Sequence, residues 1–365
     1  MYNISYRKSY DPLLVILPLL IFGIGLLFLY SASCSVQEIK GINFTIRQIT
    51  WLLVSLLALV LIINIDFRRI LDWAYLYYLI TALILIALLI MGGTKMGAKR
   101  WLSIGWLAFQ PSEFAKLALI LTLTFYLGNN RYSIKSAKTI LISFLIAGAF
   151  FILIFKEPDL GSAIALLPIL FAMLMAANVP MRFIFGSILA GAMVSPVLWN
   201  FLKDYQKRRL LVFLNPNMDP LGAGYTIIQS KIAIGSGGLL GKGWMAGTQN
   251  QLNFLPERHT DFIFSVAGEE WGFTGGLIVV LLFWLLITRI LSVAERTNDF
   301  YGKLLVAGIA TMLSFQVIVN IAMTAGLMPV VGLPLPLISY GGSSLITTWL
   351  SIALVINVDI HRTVF

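Results

Sequence analysis

Apolar residues gather in long blocks along nearly the whole chain, separated by short polar links. About twenty consecutive apolar residues carry a helix across a bilayer. Blocks of that kind cover 12–32, 44–65, 70–91, 110–128, 137–155, 160–177, 181–201, 262–288, 303–327 and 337–358, which predicts ten transmembrane helices. Pro12, Pro111 and Pro180 stand at or near helix starts, where a missing N–H costs little. One polar stretch, 202–261, is far longer than the other links. The pattern predicts an all-α integral membrane protein: a single polytopic domain over 1–365, with a long extramembrane loop between helices 7 and 8.

Composition agrees with this reading. Hydrophobic residues make up 59% of the chain and charged ones 12%, against roughly 45–50% and about 25% in soluble domains. A soluble enzyme is excluded. A single cysteine, Cys34, rules out an internal disulfide framework and a cysteine metal site, and two histidines leave too few ligands for zinc. The net charge of +10 is the ordinary mark of Lys and Arg in cytoplasmic loops and of contact with anionic lipid, so no nucleic-acid partner is expected. The first apolar block is long and lacks a small-residue cleavage site, so it reads as an anchor.

Charge also sets orientation. With the N-terminus inside, twelve cations of the short loops (Arg7, Lys8, Arg68, Arg69, Arg131, Lys135, Lys138, Arg182, Arg289, Arg296, Lys303, Arg362) are cytoplasmic, and six (Lys40, Arg47, Lys95, Lys99, Arg100, Lys156) are not. Both termini are therefore expected in the cytoplasm and 202–261 outside. Within that loop, FLKDYQKRRLLVFLNP is amphipathic and suits a headgroup-level helix or a solvated basic end. GAGYTIIQSKIAIGSGGLLGKG is too rich in glycine to span and reads as a re-entrant or surface piece beside a cavity. Neither an inverted repeat nor a soluble appended domain is evident, which weakens a typical transporter reading.

Candidate chemistry clusters on the outer side. Asp261 stands where the long loop meets helix 8, under charges at Glu257 and Arg258. Ionised there, it suits a base or a metal ligand, while the bland alternative is a helix cap. His259 is the rival base. Glu113 and Lys116 lie three apart on one helical face at the membrane boundary: an internal ion pair, or a cavity wall whose lysine attracts an anion such as pyrophosphate. Gln110 and Ser112 start that helix, where free N–H groups meet phosphate. The preceding loop sets Lys95, Lys99 and Arg100 beside Trp101 and Trp106, a site for a lipid-linked anion or an aromatic belt. KEPDLGSA, with Glu157 and Asp159, suits a cation or sugar hydroxyl, or is a solvated turn. Glu269 and Glu270 fall about two turns below Asp261 on a regular helix and read as a deeper polar network or packing lock. Prolines and glycines over 328–344 predict an irregular segment folding back toward a cavity, offering Ser339, Tyr340, Ser343 and Ser344, or else a plain connection.

WLSIGWLAFQPSEFAK, KEPDLGSA, NQLNFLPERHTDFIFSVAGEEWG and GLPLPLISYGGSS, in this order on ten spans, resemble the SEDS family (shape, elongation, division and sporulation) across nearly the whole chain. The LPERHTDFIF form is closer to the family's elongation branch than to its division branch. The resemblance implies a peptidoglycan glycosyltransferase of the bacterial cytoplasmic membrane that polymerises lipid II, releases undecaprenyl diphosphate and works with a class B penicillin-binding protein. It places the family's essential aspartate on Asp261, its loop tryptophan on Trp101, and its membrane Glu and Lys on Glu113 and Lys116. Ser343, Asp159, Glu157, His259 and Arg258 join the substrate-binding candidates. A divalent cation (Mg or Mn) is a candidate cofactor, and no organic cofactor is expected. An α-linked donor giving a β-1,4-linked product needs one inversion, hence a base and leaving-group stabilisation but no covalent nucleophile. The competing classes are a lipid II flippase and a scaffold. Buried ionisable groups argue against the scaffold.

Overall fold

A computed structural model describes residues 10–40, 43–91, 101–104, 107–220 and 222–362. The helices are α1 (Leu13–Lys40), α2 (Phe44–Ile63), α3 (Phe67–Asp72), α4 (Ala74–Met91), α5 (Pro111–Asn129), α6 (Ala137–Lys156), α7 (Leu160–Ala176) and α8 (Met181–Phe201), followed by α9 (Asp204–Leu214), α10 (Ala223–Ser236), α11 (Thr248–Gln251), α12 (Ile263–Glu270), α13 (Gly272–Arg296), α14 (Phe300–Thr324) and α15 (Gly342–Ile360). Among the described residues, six helices are long and apolar enough to cross a membrane, in α1, α2, α6, α13, α14 and α15. Shorter apolar helices lie in α4, α7 and α8.

The protein is not purely helical. LSI and LAF form two short strands, β1 (Leu102–Ile104) and β2 (Leu107–Phe109), paired antiparallel with Leu102 opposite Phe109. Phe109 stacks on Phe114, 4.7 Å between centroids, which seats the hairpin on the start of α5.

Burial sorts the helices. α5 and α15 bury almost every residue and α14 more than half of its own, and the three form the centre, with Trp349 fully enclosed. α2, α8 and α13 expose leucine, valine and phenylalanine outward, as lipid-facing helices do. Lipid tails are as apolar as leucine, so association between such helices rests on close packing and on polar links. One such link is Asn357, whose amide donates to the Ile62 carbonyl at 2.6 Å while its oxygen accepts from Phe67 N at 3.0 Å, fixing α15 to the α2–α3 turn. At the same end, the ion pair Arg68–Asp299 (2.6 Å) latches α3 to the start of α14, and Arg362–Asp359 (3.0 Å) closes the end of α15.

The block at 262–288 is not one helix. α12 ends at Glu270, and α13 begins at Gly272 with φ +65°. A helix break in an apolar setting frees amides and carbonyls that need partners. The glycine-rich turn after α10 supplies them. Phe273 N and Thr274 N donate to the carbonyls of Gly238 and Leu239 at 2.9 and 3.1 Å, while Lys242 N and Gly243 N donate to those of Glu269 and Glu270 at 3.0 Å each. The segment read as re-entrant is thus a 14-residue helix and a turn that fills the gap between α12 and α13. The last helix starts at Gly342, later than the expected 337: Pro334 and Pro336 disfavour helix up to 336, and a turn at 336–338 with Leu337 at φ +66° delays it further.

Candidate active site

Four of the residues singled out in the sequence meet where α5, α7 and α15 begin. Gln110 is the N-cap position of α5, and its backbone N–H donates to Ser343 Oγ at 2.9 Å. Its side-chain amide reaches Ser112 Oγ at 3.1 Å and Asp159 Oδ2 at 3.3 Å, and Ser112 Oγ donates to the same oxygen at 3.2 Å. Asp159 also caps α7 by accepting from Ser162 N at 3.3 Å. Three helix starts therefore meet at one buried polar cluster, and the Asp159 carboxylate is the anion that their positive ends already hold. Asp159 and Glu157 are buried, so KEPDLGSA is not a solvated turn. Glu157 sits where α6 ends.

Asp261 lies in a turn just before α12, partly exposed. The cap reading fails: Phe262 holds the N-cap position, without any side-chain cap, and the helix it opens has eight residues. Around the aspartate, Asn320 Nδ2 donates to its backbone carbonyl at 3.0 Å. Gly332, with φ +75°, runs alongside it: a Cβ there would stand 3.4 Å from Asp261 Oδ2. Gly161 at the start of α7 packs directly on the Val331 carbonyl, leaving no room for a side chain. The strap 331–343 thus runs from Asp261 to the Gln110–Ser343 cluster and joins the two polar regions.

The neighbours of Asp261 divide by environment. His259 is partly exposed, its ring 4.8 Å from Phe44. Arg258 is buried, with Nε donating to the Ala32 carbonyl at 2.7 Å, and burial pulls its pKa below the ordinary arginine range. Glu113 and Lys116 form a buried ion pair, Nζ to Oε1 2.7 Å, and Gln316 of α14 approaches the other oxygen at 3.5 Å. Lys116 has no exposed surface. Trp101 is exposed just before β1, whereas Arg100, with Lys95, Lys99 and Trp106, lies outside the described residues.

Glu269 and Glu270 do form a polar network. The Glu269 carboxylate accepts from Lys242 Nζ (2.8 Å), Thr248 Oγ1 (3.1 Å), Gln249 N (3.0 Å) and Asn250 N (3.3 Å), which anchors α11. Glu270 accepts from Ser31 Oγ and, at 3.2 Å, from Asn250 Nδ2, linking α12 to α1. Sequence reasoning missed Gln48, Gln316 and Asn320. Each is a lone amide inside an apolar helix, and Gln316 and Asn320 share one face of α14 at i, i+4, a readable signal of internal polar contacts. No three His, Cys, Asp or Glu side chains converge as a metal site among the described residues.

Comparison with known proteins places these features. The profile of the FtsW/RodA/SpoVE family, described as cell cycle protein, matches residues 11–364. The chain is 41% identical over 355 residues to the peptidoglycan glycosyltransferase MrdB of Escherichia coli (strain K12), covering 96% of this chain and 94% of that one. It is 34% identical over 431 residues to the peptidoglycan glycosyltransferase RodA of Treponema pallidum (strain Nichols), covering 97% and 98%. Among solved structures it superposes with TM-score 0.82 and 37% identity on a chain from work described as "Structural coordination of polymerization and crosslinking by a peptidoglycan synthase complex", covering 96% and 98%. The crystal structure of the rod shape determining protein RodA of Thermus thermophilus matches with TM-score 0.73 and 31% identity, covering 97% and 98%. With relatives this similar over almost its full length, this multi-pass membrane chain belongs to the FtsW/RodA/SpoVE family, the SEDS family that its motifs resemble.

Proposed function

We infer that the protein is a peptidoglycan glycosyltransferase that polymerises lipid II for cell elongation and rod shape. The observation that carries this reading is the placement of Asp261: a partly exposed carboxylate beside the strap that leads to the cluster where α5, α7 and α15 begin. A base and an anion-stabilising surface are the two parts an inverting transfer needs. Asp261 takes the proton of the acceptor 4-hydroxyl, and the oxygen attacks the anomeric carbon of the donor. The bond to pyrophosphate breaks, and undecaprenyl diphosphate leaves with the electron pair. Arg100 and Trp101 meet the pyrophosphate and lipid-headgroup side, and the buried cluster of Gln110, Ser112, Asp159 and Ser343 fixes the starts of α5, α7 and α15 beneath it. Of the two readings of Glu113 and Lys116, the geometry supports the internal pair, since Lys116 is sealed from any cleft. Among the described residues no three His, Cys, Asp or Glu side chains meet as a cage for a divalent cation, and the chelator arm of the assay below reads whether Mg or Mn takes part.

The membrane reading extends to ten spans: α1, α2, α4 to α8 and α13 to α15, with both termini cytoplasmic in the bacterial inner membrane. Residues 202–261, with α9 to α11, then form an extracytoplasmic roof, where a class B penicillin-binding protein, supplying transpeptidation, meets the glycan product.

The deciding experiment incubates purified protein in detergent with lipid II, with and without the cognate penicillin-binding protein and a chelator. Glycan on a gel is the expected result, since detergent leaves no second leaflet for a flippase. Asp261→Ala should fold and lose about 10²–10⁴-fold in rate. Normal strand synthesis by that variant overturns the role of Asp261, and loss of product with chelator establishes a cation requirement.

A further inference from the structure

The backbone carbonyls of His259, Thr260 and Asp261 are consecutive, and each accepts from a different donor outside its own loop. Tyr340 N donates to His259 O at 2.9 Å, Ser339 Oγ to Thr260 O at 2.6 Å, and Asn320 Nδ2 to Asp261 O at 3.0 Å. The two side chains among them also hold the strap. Asn320 Nδ2 donates to Leu333 O at 2.8 Å, and Ser339 Oγ accepts from Leu335 N at 2.9 Å. Behind them, Gln48 of α2 donates to Ser339 O at 3.1 Å and accepts from Gly341 N at 3.3 Å. Asn320 has no exposed surface and Ser339 is 4% exposed, so neither is placed to touch a substrate.

A turn whose carbonyls are paired with water keeps its torsional freedom. Pairing all three with donors fixed in the fold instead sets the peptide planes on either side of Asp261, and with them the direction of its Cα–Cβ bond. The same clamps bring the strap beside the carboxylate, where Gly332 lies against Oδ2. We propose that Asn320 and Ser339 are positioning residues for Asp261: they act through the backbone of 259–261 to aim the carboxylate at the acceptor hydroxyl. The inference rests on Asp261 being the base.

The test compares Asn320→Leu, Ser339→Val and Ser339→Thr with the unaltered protein in the detergent polymerisation assay. It also records thermal midpoints and backbone hydrogen exchange. A misplacement of about 1 Å costs about 100-fold, so Asn320→Leu and Ser339→Val should lower kcat by about 10–100-fold. KM for lipid II should stay within about threefold, because binding is not what the clamp provides. Exchange should quicken at 257–263 while the midpoints stay close to that of the unaltered protein. Ser339→Thr adds the same bulk as valine but keeps the hydroxyl, so it should recover most of the activity. Unchanged kcat in stable Asn320→Leu and Ser339→Val overturns the proposal, as does equal loss in the Thr and Val variants. If Asn320→Leu does not fold, the Ser339 pair decides alone. Asp261→Ala in the same series separates the two readings. If it polymerises normally, the base assignment fails. If it is dead while the clamp variants are active, only the positioning role fails.

Discussion

Glu113 and Lys116 show how a single pair can be read in sequence yet not understood there. Their spacing put them on one face of α5, and their burial at 2.7 Å makes each the other's compensation in a medium without water. Removing one partner of a buried pair leaves an uncompensated charge and costs about 3–5 kcal/mol, whereas replacing both by neutral groups is often tolerated. Lys116→Met should therefore lower thermal stability in detergent sharply, and Glu113→Gln with Lys116→Met should regain most of it. Equal losses in the single and double variants count against the pair as the stabilising unit. Polymerisation by the stable double variant then shows whether the lysine charge has any part in chemistry. Gln110, Ser112, Asp159 and Ser343 were each legible as polar residues at helix starts. Their meeting was not, because Gln110 and Ser343 stand 233 positions apart and only tertiary packing joins them. Asn320 went unread for a simpler reason: one amide in an apolar run is drowned by its neighbours in any hydropathy window.

Helices were legible wherever one solvent, lipid, surrounds one continuous run. They were misread where a distant segment breaks the run. GEEWGFTGGLIVV looks unbroken, yet Gly272 adopts φ +65° and the turn 238–243 fills the gap. The break is set by contacts to residues about thirty positions earlier, which no local periodicity carries. The small hairpin β1–β2 escaped for a similar reason, since six strand residues in an amphipathic loop give too short a pattern to register. Gly272 offers the element-scale test. A side chain at left-handed φ costs roughly 1–2 kcal/mol. A Cβ on Gly272 would also stand 2.3 Å from Gly241 N and 2.8 Å from Leu239 O, both backbone atoms that yield only if the turn moves. Gly272→Ala should lower the thermal midpoint and open 238–243 to proteolysis. A variant as stable and as protected as the unaltered protein would show that the turn does not depend on this close approach.

For the whole molecule, the apolar blocks carry the helical membrane architecture, because a bilayer admits few alternatives to spanning helices, and the bias of Lys and Arg predicts which loops lie on each side. That bias places Tyr132, fully exposed between α5 and α6, in the cytoplasm, and Met218, exposed between α9 and α10, outside. An even number of spans between the two loops would return both to the same side. Only three spans, α6 to α8, separate them in the ten-span reading, so their sides must differ. The chain's single cysteine makes this directly measurable. In a Cys34→Ser background, Met218→Cys should react with a membrane-impermeant maleimide on intact cells, and Tyr132→Cys only after permeabilisation. Labelling of both from one side would remove α6, α7 or α8 from the count of spans. Labelling with the sides reversed would put Asp261 in the cytoplasm, away from the compartment where glycan is assembled, and end the catalytic reading with it.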